Sequence, residues 1–309
     1  MIITITLNPA IDKTIELNQF SIGHLNKVEN SILDPGGKGI NVSKVIESLG
    51  GSSIATGFLG GSSGHYIDKS LKDLTIKSDF VQIEGETRTN LKIFDRITKE
   101  TTEINEPGPY VSEDDVKSLT EKVKAMIRKP CIVVISGSAP KSVDSNVFQT
   151  LVEVCQDLGA DVFLDTYGAG FRAGLKAKPT FIKPNKPEVE QYLGHEISGD
   201  EDLKMAGRHF MDMGIKHIFI TLGKEGAFYC NSEKFVKLHS LKVDTHSTVG
   251  AGDAFVGGFI YALDHEYDID ESLRLAVATS AGAVMTVGTK PMNMEWIMSQ
   301  IDRVGIELI

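Results

Sequence analysis

Three cysteines and one tryptophan in 309 residues leave little material for a disulfide framework or a thiol metal centre. Cys131, Cys155 and Cys230 are odd in number and show no C-x-x-C spacing. Each sits in or beside an apolar run, so each reads as a small buried hydrophobe in a reducing compartment. Positive charge is also short, with 32 Lys and Arg against 42 Asp and Glu, a net charge of −10. Nucleic acids and membrane surfaces are polyanionic and need basic faces, so neither is expected as a partner. A small anionic substrate stays open, because it needs only a few local cations. The eight histidines show no H-E-x-x-H or Cys-paired spacing, and no zinc is expected. No apolar stretch approaches the roughly 20 residues that span a bilayer. The first strand-like run, Met1–Leu7, lacks a basic leader and a cleavage site, so the expected location is cytoplasmic. There is no internal repeat and no low-complexity segment.

The length suits one large α/β domain with a minor appendage. Ile3, Ile5 and Leu7 alternate with threonines as in a strand, and Ser53–Leu59 is a second. Val42, Val45, Ile46 and Leu49 have helical spacing that Gly50 and Gly51 end, and 64–74 is a further helix. From 112 onward strands and helices alternate. Ser112 with Asp115 resembles a capping box ahead of Val116, Leu119, Val123 and Ile127. Core strands are expected at Cys131–Ile135, Val162–Leu164, Thr180–Ile182 and Ile218–Leu222. Helices are expected near 143–158, 187–193, 201–213, 252–264, 270–287 and 294–303. This order predicts a mostly parallel sheet covered on both faces. Two segments interrupt it: 11–35, with β-like pieces at Thr14–Leu17 and Lys27–Ile32, and the charged and apolar alternation of 76–105, read as exposed antiparallel strands. The economical reading pairs 11–35 with 85–106 in one small sheet, a lid over the main domain.

Four constellations carry chemistry. Thr248-Val-Gly250-Ala-Gly252-Asp253 runs into a helix expected to start at Ala254. Glycines there let backbone N–H groups converge on an anion, and the helix dipole favours it. Asp253 beside such an anion is repulsive unless it serves as a general base on an acceptor hydroxyl. A glycine turn with a capping aspartate is the plain alternative. Pro35-Gly36-Gly37-Lys38-Gly39-Ile40-Asn41 resembles a phosphate loop but not a Walker A, because Gly39 follows Lys38; a glycine hinge is its plain alternative. In Lys183-Pro-Asn185-Lys-Pro-Glu188, Asn185 and Glu188 are three apart at a helix start. They suit a hydrated Mg²⁺, or an N-cap with its N3 glutamate. Thr221-Leu-Gly223-Lys-Glu-Gly226 follows a strand and can hold nucleotide backbone or be a β-turn.

In this order the four motifs resemble the ribokinase/PfkB family of carbohydrate kinases, over essentially the whole chain. Within it, Thr6-Leu-Asn8-Pro-Ala-Ile-Asp12, Thr87-Arg88-Thr-Asn90, Ser136-Gly-Ser138-Ala-Pro140 and Ser247-Thr248 look closest to the 1-phosphofructokinase and tagatose-6-phosphate kinase branch. The resemblance implies a ribokinase-like three-layer α/β sandwich spanning 1–309, with a mostly parallel central sheet and a small β-sheet lid. It also implies ATP and Mg²⁺ and a sugar-phosphate substrate. The edge strands of a small lid sheet are unstable alone, so a homodimer through the lid is expected. Asp253 would be the base, with an anion hole from Gly250, Ala251 and Gly252. Asn185 and Glu188 would organise Mg²⁺ through water. Lys183, Asn185, Thr221, Gly223, Gly226 and Thr248 would line ATP, with Ala281 and Ala283 beside adenine. Asp12, Gly36, Gly37, Asn41, Asn90 and Ser138 would surround the sugar. Lys38 and Arg88, with Lys27, would clamp its existing phosphate. The implied reaction converts fructose 1-phosphate to fructose 1,6-bisphosphate, with tagatose 6-phosphate as the alternative. Family members often carry Asp-Thr where this chain has Ser247-Thr248, and Asp244 is out of register, so the resemblance leaves a K⁺ requirement open.

Three other readings compete. Gly60-Gly-Ser62-Ser-Gly64 matches the G-x-S-x-G of hydrolases, with Asp165 and His239 or His246 as triad partners. Gly168-Ala-Gly170-Phe-Arg-Ala173 matches a dinucleotide fingerprint, but in mid-chain and before a very short helix. A non-catalytic sugar-phosphate sensor would keep Arg88 and Lys38 and could dispense with Asp253, Asn185 or Glu188, all of which are present. ATP consumption separates sensor from enzyme.

Overall fold

The computed structural model describes residues 1–245, 248–286 and 292–309. The chain opens with β1 (Ile2–Thr6), then leaves the main layer for β2 (Ala10–Leu17) and β3 (Asn30–Gly36), and returns through α1 (Lys38–Ser48). After β4 (Ser53–Gly60), α2 (Gly61–Asp73), β5 (Lys77–Ser78) and β6 (Val81–Ile83), a second excursion forms β7 (Arg88–Asp95) and β8 (Thr101–Asn105). Strands and helices then alternate through α3 (Glu113–Met126), β9 (Ile132–Ser136), α4 (Asn146–Asp157), β10 (Asp161–Asp165), α5 (Gly168–Leu175), β11 (Phe181–Ile182), α6 (Lys186–Leu193), α7 (Asp200–Asp212) and β12 (His217–Thr221). A hairpin of β13 (Ala227–Cys230) and β14 (Phe235–Leu238) precedes α8 (Ala251–Asp264), α9 (Ile269–Val284), α10 (Met294–Gln300) and β15 (Ile306–Leu308).

The main sheet has the order β15-β14-β13-β12-β11-β10-β9-β1-β4-β5, with β6 also on β4. It is parallel from β12 to β5 and antiparallel from β12 to β15. Its central strands are apolar on both sides because helices cover both faces. Ile3, Ile5, Val133, Ile135, Val162 and Leu164 share a core cluster with side chains of α3, α4 and α7. The alternate residues Ile2, Val134, Phe163 and Phe219 pack with α1, α8 and α9. Phe163 stacks on Phe181 (5.7 Å) and Phe219 (5.8 Å), and Phe259 of α8 meets Phe219 edge-on at 4.7 Å. Each buried ring contributes about 1.5–3 kcal/mol. Their ladder fixes α8 on the sheet. Gly257 and Gly258 tighten the fit, since a Cβ there would lie 2.5 Å from Val45 and 2.6 Å from Thr279.

The second sheet has the order β3-β2-β7-β8. Of the segment read as antiparallel strands, β7 and β8 pair antiparallel, while β7 runs parallel to β2. One reading of this region is corrected: residues 76–83 belong to the main sheet, where β5 and β6 extend β4. Lys27–Glu29 lies in the connection ahead of β3, while β2 begins earlier than expected, at Ala10. The hairpin β13–β14 and the edge strand β15 have no counterpart in the sequence reading. The Ser112–Asp115 capping box forms as expected. The end of the helix expected over 270–287 lies outside the described residues, as do His246 and Ser247. Among the described residues, no helix is long and apolar enough to cross a membrane.

Candidate active site

β1, β9 and β10 end in one row, with Thr6, Ser136 and Asp165 in mutual register. Asp165 closes an otherwise apolar strand and is buried. Two lysines from different elements converge on it. Lys38, the first residue of α1, donates at 3.3 Å to both carboxylate oxygens, and Lys183, just beyond β11, lies 3.3 Å from one of them. Burial works against the Asp165 charge, but Lys183 and Lys38 outweigh it and hold the carboxyl below its ordinary range. Burial likewise opposes the Lys38 ammonium, yet Asp165, Asp253 and Glu188 hold it above the usual lysine value.

Asp253 is the third residue of α8 and is buried. The helix starts at Ala251, not Ala254, because Gly250 caps it in the left-handed region at φ 81°, a conformation glycine adopts without strain. The first-turn N–H groups of any helix lack intrahelical partners. Here they open beside Lys183, whose Nζ lies 3.2 Å from where a Cβ of Gly252 would stand. Asn41 Nδ2 donates to Asp253 Oδ2 at 2.8 Å. Burial, reinforced by the charge of Asp165, raises the Asp253 carboxyl above its ordinary value, against the pull of Lys38, Asn41 and Lys183.

The small sheet supplies the opposite wall. Asp12 is buried, accepting from Asn90 Nδ2 (3.1 Å) and Lys92 Nζ (3.0 Å). Gly36 is required beside it, since a Cβ would come within 2.7 Å of the carboxylate. Arg88 donates through Nη1 to Glu106 O and through Nη2 to Asn8 O, each at 2.9 Å. Both arms of its fork are thus engaged, and burial lowers its pKa. Ser138 lies in the turn after β9, where Gly137 N–H donates to Asp165 O at 2.9 Å. Lys27 is exposed in the β2–β3 connection.

Asn8 Oδ1, Asn41 Oδ1, Arg88 Nε, Asn90 Oδ1 and Ser136 Oγ are buried without a hydrogen-bond partner among the described residues. They belong to the β1–β2 connection, the first turn of α1, the start of β7 and the end of β9, segments that run between the two sheets or end where the sheets adjoin, here called the gap. Each such orphan costs about 1–3 kcal/mol, so their grouping marks a place built for a polar ligand.

Next to this gap a cavity of about 820 Å³ is lined by Asn185, Lys186, Thr221, Gly223, Lys224, Gly226, Thr248, Ala251 and Gly252 at one part and by Val243, Phe255, Val277, Ser280, Ala281 and Val284 at another. Positions 277, 280, 281 and 284 form one face of α9. Ala283 falls off that face and lines a separate cavity of about 200 Å³ with Val45 and Met292. Lys183 is also not on the cavity wall; it lies beneath the glycine turn. Thr221–Gly226 is both a turn and a wall: Leu222 N–H donates to Gly226 O at 2.8 Å. Asn185 and Glu188 form the reciprocal cap, Glu188 N–H to Asn185 Oδ1 at 2.9 Å and Asn185 N–H to Glu188 Oε2 at 2.8 Å. This leaves the second carboxylate oxygen of Glu188.

The hydrolase reading fails on geometry. Ser62 donates to Glu86 at 2.6 Å at the start of α2, Asp165 is held by lysines, and His239 pairs with Glu307. Gly170 and Gly174 serve packing of α5, against Phe148 of α4 and Leu164 of β10. Asp165, Lys92, Asn8 and Ser136 were not among the expected site residues. A charged residue closing the apolar run Val162–Leu164 is the signal that could have found Asp165.

The chain matches the pfkB family of carbohydrate kinases over residues 5–296. It is 32% identical over 286 residues to the 1-phosphofructokinase of Bacillus subtilis (strain 168), with 93% of each chain covered. It is 34% identical over 298 residues to the tagatose-6-phosphate kinase of Staphylococcus epidermidis (strain RP62A), with 96% of each covered. Phosphofructokinase-2 from Escherichia coli, in a crystal structure with potassium, has a TM-score of 0.93 at 28% identity, covering 98% of both chains.

The raised carboxyl of Asp253 has a stability consequence. A carboxyl with a folded pKa above its unfolded value of 3.8 disfavours the folded state once pH rises past that value, as ionisation begins in the unfolded chain first. Asp253→Asn is therefore expected to raise the urea midpoint at pH 7, with the gain shrinking as pH falls toward about 4. An equal gain at both pH values would show that the charge of Asp253 is not its source.

Proposed function

The chain belongs to the pfkB family of carbohydrate kinases, and on that premise we propose that it transfers the terminal phosphoryl group of ATP to the free primary hydroxyl of a ketohexose monophosphate. Fructose 1-phosphate, giving fructose 1,6-bisphosphate, is the first candidate and tagatose 6-phosphate the second. One observation carries the reading: buried Asp253 stands at a helix start where the large cavity meets a gap lined by unpaired polar atoms.

In this mechanism Asp253 accepts the proton of the substrate hydroxyl as its oxygen bonds to the γ-phosphorus, and the bond to the ADP oxygen breaks. Asn41 orients the carboxylate through Nδ2, while its Oδ1 remains to accept from the sugar. The backbone N–H groups around Gly250, Ala251 and Gly252 receive the phosphoryl oxygens. Asp12, Asn90, Gly36, Gly37 and Ser138 border the sugar. Arg88 reaches the sugar's resident phosphate through Nε, the one guanidinium position left unpaired. Asn185 and Glu188 bring only oxygen ligands, partly engaged in their own cap, which fits a Mg²⁺ ion held through water better than a dry cage. When bound, that ion neutralises phosphate charge. The small sheet acts as a lid that keeps water from the transfer.

Exposed apolar side chains concentrate on this lid: Ile22, Leu25, Val28, Leu33, Ile97 and Ile104 are each at least 45% exposed. Leu33, Leu91 and Ile104 lie in one cross-strand row with Lys13. Such an exposed apolar row is what a second copy of the chain would cover in a homodimer through the lid.

Four measurements test these assignments. Asp253→Asn should lower kcat by about 10² to 10⁴ with little change in sugar-phosphate binding; a near-wild-type kcat ends the mechanism. Side-by-side kcat/KM for fructose 1-phosphate, tagatose 6-phosphate and fructose 6-phosphate ranks the substrates, and turnover of none sinks the reading. Arg88→Ala should raise KM for the sugar phosphate and leave KM for ATP nearly unchanged; a collapse of ATP affinity would place Arg88 at the wrong end. Leu33→Glu combined with Ile104→Glu should yield monomers in sedimentation, and an intact dimer would move the interface elsewhere.

A further inference from the structure

The sequence motif groups Lys38 with the clamp on the sugar's existing phosphate, but its surroundings belong to the other end of the site. Lys38 Nζ lies 3.3 Å from both oxygens of Asp165, and the other lysine on Asp165, Lys183, has its Nζ 3.2 Å from where a Cβ of Gly252 would stand at the start of α8, next to Asp253. Asp253 marks the reacting hydroxyl. The resident phosphate of a ketohexose monophosphate must lie at the opposite end of the sugar, toward Arg88 on the small sheet. One ammonium cannot serve both ends.

Resting on the kinase reading above, we propose that Lys38 is a catalytic residue that leaves Asp165 to bind the phosphoryl group in transit. Three observations carry this. Asp165 holds two lysines, but they differ in access: the Lys38 side chain is 35% exposed and that of Lys183 only 5%. A ligand can therefore reach Lys38 and not Lys183. If Lys38 turns away, Lys183 still neutralises Asp165, so no buried charge is left uncompensated. The 3.3 Å distances to both Asp165 oxygens are longer than the 2.7–2.9 Å of a strong charge-assisted bond, which leaves the ammonium able to exchange partners.

In the step itself, the sugar hydroxyl proton passes to Asp253, the sugar oxygen bonds to phosphorus, and the bond to ADP breaks with its electron pair going to ADP. Lys38 keeps its proton throughout. It supplies positive charge to a peripheral phosphoryl oxygen, and returns to Asp165 when the product leaves.

The test uses the full-length chain. Lys38→Met should lower kcat by about 10² to 10³, the loss expected on removing one preorganised donor, with KM for the sugar phosphate changed by less than about threefold. Binding measured by calorimetry without sugar gives a second readout: Lys38→Met should weaken a non-hydrolysable ATP analogue by about tenfold or more and leave ADP affinity unchanged, since only the former carries the group that Lys38 meets. Lys38→Arg, which keeps the charge, should recover part of both effects. Unfolding midpoints of both variants confirm that the fold is intact. A Lys38→Met enzyme with unchanged kcat and a raised sugar-phosphate KM overturns the proposal and returns Lys38 to the sugar clamp; equal losses for ADP and the ATP analogue overturn it as well. Wild-type chain that turns over no sugar phosphate defeats the kinase reading instead, and the two nucleotide affinities still decide Lys38.

Discussion

A carboxylate at the end of a buried strand is held in its charged form only by cations brought to it, and Asp165 imposes that demand on the rest of the molecule. Its backbone is fixed by β9 and β11, so the lysines must come to it. Lys183 arrives because β11 is only two residues long and the chain turns at Pro184 immediately after. Lys38 arrives because α1 begins at that residue, directly after the Gly36-Gly37 passage out of the small sheet. The triad therefore ties three segments, distant in sequence, to one strand end. Removing either lysine alone leaves the other as compensation, a redundancy that a purely structural ion pair does not have.

The second constraint is the seat of α8. Its start must present N–H groups to the gap while Asp253 stays buried, and both depend on the helix lying close to the sheet. Phe255 and Phe259 against Phe219 set its depth, and Gly257 and Gly258 allow α1 and α9 to close on either side. The desolvation that lifts the Asp253 carboxyl is thus a product of core packing. Activity and stability pull in opposite directions at this residue: the burial that makes it a stronger base also makes its charge costly.

Most of the architecture was legible in the sequence because its signals are local. Strand–helix alternation after 112, the Ser112 cap and the glycine turn before α8 need no knowledge of distant partners. The hairpin at Ala227–Cys230 escaped notice because it follows β12 so closely that Ala-Phe-Tyr-Cys reads as loop after the glycines. The parallel pairing of β2 with β7 was hidden for another reason: alternation shows that a segment is a strand but carries no information on the direction of its neighbour. At the site, Asn41 meets Asp253 and Asn90 meets Asp12. Lys183 and Ala283 do not lie where the motif order places them. Adjacency in a motif fixes neither the face of a helix nor the depth of a side chain.

The small sheet joins the main layer through four connections, between β1 and β2, β3 and α1, β6 and β7, and β8 and α3. Arg88 touches three of them. It begins β7 itself, and its guanidinium holds the carbonyls of Asn8 in the first connection and Glu106 in the last. Asn8 continues the tie by donating to Pro107 O at 3.1 Å. The remaining connection, between β3 and α1, is governed by Gly36, packed against Asp12, and by Lys38 on Asp165. Every strap between the sheets therefore contains, or is held by, a residue of the site. A ligand that pairs with Arg88 Nε pulls on the first and last connections together, and one that draws Lys38 from Asp165 loosens the second. On the proposed reading, sugar phosphate at one end and phosphoryl donor at the other would therefore act on different straps.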